Sequence, residues 1–206
     1  MTRLGVLAFG DSITNGGGEI QWGVALQSWA LWVARGLGLP FTTYAADGAR
    51  ARDVRGPDWD PAAFAADHTA ILDVLAERCD RLLLVTLPLD LGRPRAGAKV
   101  ADANAIIERR ARETGTLVVD LARFRGRDVL MADHVHPTAF GQIAIAERAL
   151  AVLAADGLPP RKHPREMISY ETTRWGRLRG DATYAYRHAK VSGEAAANLL
   201  RLRLRR

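Results

Sequence analysis

Residues 4–14 of the chain read LGVLAFGDSIT, a short apolar run that ends at Gly10-Asp11-Ser12. An apolar run of this length that stops at a glycine is typical of a buried parallel strand. Helical and strand patterns then alternate along the chain. They predict further strands at 40–45, 82–87 and 116–121, and helices at 23–36, from 60 onward, at 98–114 and at 138–154. This alternation predicts an α/β fold with a mainly parallel sheet and helices on both faces.

A second motif follows the last predicted strand, where residues 133–137 read DHVHP. With Ser12, its Asp133 and His136 complete the three side chains that turn a hydroxyl into a nucleophile. Loops at the carboxyl ends of parallel strands build active sites, and these motifs, like Gly48, follow such strands. On one tight turn, the three-residue spacing lets the Asp133 carboxylate reach one imidazole nitrogen while the other faces outward. We therefore expect Ser12, Asp133 and His136 to form one site.

Each motif alone also has a structural interpretation. Gly10-Asp11-Ser12 is short enough to be a chance turn, and Asp133 with His136 can be a helix cap beside a surface histidine. We expect Asp11 to brace its turn and His134 to be a solvent-facing structural residue. The catalytic interpretation is favoured for Ser12 and for the pair Asp133 and His136, because both motifs lie on correctly placed loops and in the correct chain order.

Composition excludes several classes of protein. No run of about 18 apolar residues is present, which excludes a transmembrane helix. Residues 4–9 are too short for the core of a signal peptide, so we expect a cytoplasmic location. The single cysteine, Cys79, cannot form an internal disulfide, and no metal cluster can be built around it.

The net charge of +6 is unevenly placed. Residues 161–206 hold 12 Lys and Arg against 4 Asp and Glu, a balance of +8, whereas residues 1–160 have a balance of −2. Pro159 and Pro160 punctuate the end of the α/β pattern, so we predict a domain at 1–157 and a basic C-terminal extension at 158–206. The extension either contacts an anionic membrane or nucleic acid, or is a solvated, loosely packed tail.

The quoted motifs resemble those of the GDSL/SGNH hydrolase family. Residues 10–14, GDSIT, are similar to its first sequence block, and residues 44–49, YAADGA, to its second. Predicted strands 82–87 and 116–121 are similar to its later strands, and the resemblance covers roughly residues 4–155. It implies a flavodoxin-like three-layer αβα sandwich over the 1–157 domain.

The resemblance also implies a function. Ser12 would be the nucleophile, His136 the general base and Asp133 its partner, while the backbone N–H groups of Ser12 and Gly48 would form the oxyanion hole. The chain is then a serine ester hydrolase, esterase- or lipase-like, that acts on a small-molecule ester. The resemblance implies no metal and no organic cofactor.

One block of the family is missing from this sequence. The family carries a further strand that ends in Gly-x-Asn-Asp, and its Asn side chain is a third oxyanion donor. The three asparagines here are Asn15, Asn104 and Asn198, and none of them follows a strand in that place. Residues 53–60 read as if a helix and a central strand had been removed. We therefore expect a sheet one central strand short, with strand 82–87 moved beside strand 4–9.

The loss of this donor keeps a second function open. One missing oxyanion donor lowers kcat by on the order of 100- to 1,000-fold. Asn15 is a candidate replacement, because it could approach the site from the next loop. The alternative is a catalytically impaired protein of the same fold with a binding role, whose basic tail contacts a membrane or nucleic acid.

Overall fold

The computed structural model describes residues 5–18, 24–49, 54, 56–168 and 173–204. Leu4, Gly23, Asp53 and Arg55, which belong to segments interpreted above, lie outside the described residues. The strands are β1 (Val6–Ala8), β2 (Phe41–Thr43), β3 (Leu83–Val85) and β4 (Leu117–Val119). The helices are α1 (Ser12–Asn15), α2 (Trp29–Leu37), α3 (Pro61–Ala76), α4 (Ala98–Thr114), α5 (Ala139–Ala155) and α6 (Arg174–Leu204), with a 3-10 helix at Pro164–Met167. The chain has the expected α/β fold.

The parallel strands form two separate pairs. β1 pairs with β2, with Val6 opposite Phe41, and β3 pairs with β4, with Leu83 opposite Leu117. Within the described residues, no ladder of hydrogen bonds joins β1 to β3. The prediction that strand 82–87 moves beside strand 4–9 is therefore wrong, and the four described strands form two half-sheets, β1–β2 and β3–β4.

Helices on both faces explain why β3 does not move. Leu83 and Val85 pack against the core built by α2 and α5, whereas Leu84 packs against a second core between α3 and α4. Side chains alternate across a strand, so β3 is held from both sides. Closing the gap would break both sets of contacts. The result is a helix–sheet–helix arrangement whose two half-sheets share the α2–α5 layer.

Local sequence sets the ends of the helices. The Asp60 carboxylate accepts the N–H groups of Ala62 and Ala63 and caps α3, and Pro61 occupies the first helical position. The predicted helix at 23–36 begins later, at Trp29, because the Ser28 hydroxyl caps α2 by accepting the Ala30 N–H. The predicted helix at 98–114 matches α4.

Beyond α5, the basic segment forms the 3-10 helix and the long helix α6. α6 is fastened to the loop before the 133–137 turn by an ion pair between Asp181 and Arg127, 2.8 Å apart. In the part of the chain that the structure describes, no helix has both the length and the apolar character needed to cross a bilayer.

Candidate active site

Ser12 is the first residue of α1, directly after β1. Asp11 caps this one-turn helix, because its Oδ1 accepts the Ile13 N–H at 2.9 Å, so the bracing role predicted for Asp11 is confirmed. The turn requires glycine at position 10, where φ is +156°. A Cβ there would lie 2.5 Å from the Thr14 Oγ1. The strand therefore turns sharply and presents Ser12 at a helix N-terminus.

The structure brings Ser12, His136 and Asp133 together in one hydrogen-bonded series. The Ser12 Oγ lies 2.9 Å from the His136 Nε2, and the His136 Nδ1 lies 2.7 Å from the Asp133 Oδ2. The side chains of His136 and Asp133 are 32% and 33% exposed, so a ligand can reach the series from solvent. This is the order of contacts that transfers a serine proton to imidazole.

The Asp133 carboxylate is held in its ionised form. Burial alone would raise its pKa. The hydrogen bond from the His136 ring and those from the N–H groups of Val135 and His136 outweigh burial, and they lower the pKa below its ordinary value. An ionised carboxylate keeps the proton on the His136 Nδ1, so Nε2 carries the lone pair that accepts the serine proton.

Gly48 lies in the loop after β2, which is bonded to the loop that holds Ser12. The Ala46 N–H donates to the Gly10 carbonyl at 3.0 Å, and the Asn15 amide donates to the Asp47 carboxylate at 3.1 Å. Gly48 has φ +77°, and a Cβ there would meet no atom within 4 Å. Within the described residues, neither its N–H nor that of Ser12 has a hydrogen-bond partner.

Two of the three asparagines are engaged in other contacts. The Asn104 side chain is buried and bonds both the N–H and the carbonyl of Leu87, at 2.8 and 2.7 Å. The Asn15 amide faces Asp47. The backbone groups of Ser12 and Gly48 therefore stand without a third amide donor from either residue.

Gln142 on α5 is a residue that the sequence did not single out. Its side chain is 0% exposed, and its amide donates to the carbonyls of Ile13 and Gly17 at 3.0 and 3.2 Å. Its oxygen accepts the Trp29 N–H at 2.9 Å. Gln142 therefore ties α5, which follows the 133–137 turn, to α1 and α2. The signal in the sequence was a polar residue on the apolar face of the predicted helix at 138–154.

A second cluster surrounds His134, inside the 133–137 turn. The His134 Nδ1 lies 2.9 Å from the Asp90 carboxylate, and the Arg93 guanidinium lies 2.8 Å from the His134 Nε2. The expectation that His134 faces solvent is wrong, because its side chain is 13% exposed. The Gly92 N–H also donates to the His134 carbonyl at 2.9 Å. The loop after β3 thus holds the turn, and Asp90 and Arg93 were detectable as charged residues at a strand's carboxyl end.

The cluster favours a neutral imidazole at His134. Burial and the charge of Arg93 lower its pKa below the ordinary value and outweigh the opposing effect of Asp90. The Arg93 guanidinium lies 2.8 Å from both ring nitrogens, and a neutral ring that donates from Nδ1 to Asp90 can accept from Arg93 at Nε2. Burial raises the pKa of Asp90, but the hydrogen bond and charge of Arg93 outweigh it and lower that pKa. Among the described residues, no group of three or more His, Cys, Asp or Glu side chains could hold a metal.

Comparison of the whole structure with known structures gives clear matches. LAE5, an alpha/beta hydrolase enzyme from the Lake Arreo metagenome, matches with TM-score 0.56 and 17% identity over 72% of this chain and 94% of its own. A lipolytic G-D-S-L family protein from Veillonella parvula gives 0.55 and 20%, over 72% and 97%. Axe2, an acetylxylan esterase from Geobacillus stearothermophilus, gives 0.55 and 16%, over 74% and 96%.

The chain shares the α/β fold of these proteins. At these identities the likeness establishes the fold alone. No protein-family model matches the sequence, and no curated protein matches it. The Ser12–His136 hydrogen bond joins loops from the two half-sheets: Ser12 follows β1 of one half, and Asp133 and His136 come after β4 of the other.

Proposed function

We propose that this chain is a serine ester hydrolase of the GDSL/SGNH type, with Ser12 as nucleophile, His136 as general base and Asp133 as its orienting partner. The observation that carries the proposal is the hydrogen-bonded series from the Ser12 Oγ through His136 to Asp133. The similar structures support the reaction class, since they include an acetylxylan esterase and lipolytic G-D-S-L proteins. Two structures of Axe2 are of its catalytic mutants, one serine-to-alanine and one histidine-to-alanine.

The reaction begins with attack on the acyl carbon. The Ser12 Oγ forms a bond to the carbonyl carbon while its proton passes to the His136 Nε2, and the carbonyl oxygen becomes an oxyanion. The backbone N–H groups of Ser12 and Gly48 are the proposed donors to that oxygen. His136 then gives its proton to the departing alcohol oxygen, the bond from that oxygen to the acyl carbon breaks, and an acyl-serine remains.

Water completes the cycle. A water molecule gives a proton to the His136 Nε2 and attacks the acyl carbon, and collapse of the second tetrahedral intermediate returns the proton to Ser12 and releases the acid. With two backbone donors and no asparagine, we expect kcat to be lower by on the order of 100- to 1,000-fold than with three donors. Asp133 stays ionised throughout and orients the ring.

Hydrolysis of p-nitrophenyl acetate tests the proposal. We expect turnover by the wild type and a loss of at least about 1,000-fold in Ser12→Ala. Ser192→Ala changes a serine on α6 that is not part of the series; it is the matched control and should keep the wild-type rate. A fluorophosphonate should label Ser12 and no other serine, as mass spectrometry of peptides would report. Equal rates for wild type and Ser12→Ala would reject the catalytic role and leave the impaired, binding protein as the interpretation.

A further inference from the structure

One face of helix α6 carries large apolar side chains that are exposed to solvent. Trp175, Leu178, Tyr186 and Leu200 are 72%, 59%, 70% and 62% exposed, and they are four of the five most exposed large hydrophobic side chains among the described residues. At about 100° per residue, their positions fall within an arc of about 80° around the helix axis. Up to residue 200, the other positions of this arc are small and exposed: Ala182, Ala189, Gly193 and Ala196. We call these eight residues the outer stripe.

The opposite face of α6 is occupied by the rest of the molecule. Gly176 is buried, and Asp181 pairs with Arg127. The His188 ring stacks with Tyr184 and lies 6.4 Å from the His134 ring. These contacts fix which side of α6 faces inward. The outer stripe therefore points away from the protein, and the same helix touches the 133–137 turn from its inner side.

Basic residues border the outer stripe on both sides. Arg174 precedes it on one edge, and Lys190 and Arg201 lie on the other, all of them exposed. On the helical projection, the acidic residues of α6, Asp181 and Glu194, fall outside the stripe and its basic borders. The segment 161–206 carries a balance of +8, so the field around the stripe is positive. An apolar centre with cationic edges is the pattern of a helix that lies in a lipid interface.

We propose that the outer stripe of α6 docks on an anionic lipid surface. Trp and Tyr side chains favour the interface between apolar and aqueous phases, and Lys and Arg can reach from the edges to lipid phosphates. A nucleic-acid surface would place cations at the centre of the contact, because phosphates supply most of its affinity. Here the centre is apolar. Docking through the stripe would place α6 between the bilayer and the 133–137 turn, and it does not depend on the chemistry proposed for Ser12.

Vesicle flotation of the full chain tests the proposal. We expect binding to vesicles of phosphatidylcholine with about one part in three of phosphatidylserine, weaker binding to phosphatidylcholine alone, and a fall in binding as salt is added. The double variant Trp175→Ser, Leu178→Ser should lower the partition coefficient by at least about tenfold. The double variant Lys190→Ser, Arg201→Ser should lower it by about fivefold per residue on the anionic vesicles.

A matched pair on another helix provides the control. Ile71 and Val74 on α3 are 48% and 47% exposed and have the same three-residue spacing as Trp175 and Leu178. Ile71→Ser, Val74→Ser should leave vesicle binding unchanged. Melting curves verify that each variant is folded, and Trp175→Ser alone replaces the stripe double variant if that variant melts early.

Three results would each overturn the proposal. The first is no binding of the wild type to the anionic vesicles. The second is vesicle binding that the stripe variant retains, or that the α3 control loses equally. The third is binding to a mixed-sequence DNA duplex, unaffected by the stripe variant, in a protein that ignores the vesicles.

Discussion

Replacing Gln142 by leucine is expected to loosen the connection between the two half-sheets. The Gln142 side chain is 0% exposed and serves the carbonyls of Ile13 and Gly17 and the N–H of Trp29. Leucine fills much of the same volume with an apolar group and makes none of these bonds. The change therefore tests the polar contacts rather than the packing.

The cost follows from the groups left behind. Ile13 keeps a partner, since its carbonyl also accepts the Gly16 N–H at 3.3 Å. Gly17 and Trp29 are half-buried and lose the bonds that Gln142 provides. A fully buried group without a partner costs about 1–3 kcal/mol and access to water lowers this cost, so we expect the free energy of unfolding to fall by about 2–4 kcal/mol. For a chain of this size, that corresponds to a fall in Tm on the order of 10 °C.

Activity should fall as well, because Gln142 holds α1 in its position relative to α5. A displacement of about 1 Å at the reacting groups costs on the order of 100-fold. The Ser12–His136 hydrogen bond, 2.9 Å long, would lengthen with it. We therefore expect a lower kcat at temperatures where Gln142→Leu remains folded, with a smaller change in KM.

Melting curves of three variants measure the effect. Gln27→Leu is the control, since Gln27 makes an exposed contact with Arg35. Gln142→Glu keeps the acceptor for Trp29 but points carboxylate oxygen at two carbonyls, so burial and repulsion raise its folded pKa. Its stability should be highest below about pH 4.3 and fall as the pH rises above that value. The reasoning is refuted if Gln142→Leu melts within about 2 °C of the wild type, because the orphaned groups would then cost less than about 1 kcal/mol.

Three further variants probe the site. Asp133→Asn should lower kcat by on the order of 1,000- to 10,000-fold. In the wild type, the lowered pKa of Asp133 means that its ionised form stabilises the folded state above about pH 4 and that this stabilisation is lost below that pH. The free energy of unfolding of Asp133→Asn should therefore fall less steeply in acid than that of the wild type. The folded state resists protonation of His134, so the wild type should lose stability as the pH falls below about 6.5, and His134→Gln should remove this loss. Urea unfolding on both sides of that pH measures the effect. An unchanged pH dependence in His134→Gln would contradict the prediction. Gly48→Ala and Gly115→Ala change glycines with φ +77° and +70° and open space around them, so both should lose about 1 kcal/mol of stability. Only Gly48→Ala should lower kcat, because relief of the backbone strain would shift the N–H proposed as an oxyanion donor.

The sequence predicted what depends on local pattern. Helix α4 begins and ends where the apolar spacing predicted it, and Val100, Ile107 and Ala111 are buried as that spacing requires. Ser12 and His136 could be paired in advance because parallel strands bring their following loops to one edge of the sheet. These inferences needed no knowledge of which strand lies beside which.

What the sequence did not predict depends on contacts between distant segments. The place of β3 is decided by helices packed on both its faces, and a strand pattern contains no information on its neighbour. Helix α6 was not predicted, because Gly176, Gly180 and Gly193 weaken the helical pattern of the basic segment. The roles of Gln142 and His134 could not be predicted, because their hydrogen-bond partners lie far along the chain.

Because the sheet is split into two halves, the α2–α5 layer that both halves share sets the relative position of the site residues. Ser12 belongs to one half and His136 to the other, and within the described residues no strand ladder connects the halves. In proteins, local opening separates cooperative units at less cost than global unfolding. A local opening that separates the two half-sheets would break the Ser12–His136 hydrogen bond and expose two strand edges to solvent at the same time. The lifetime of the reactive arrangement is then the lifetime of the closed form, and amide hydrogen exchange along β1 and β3 would measure it.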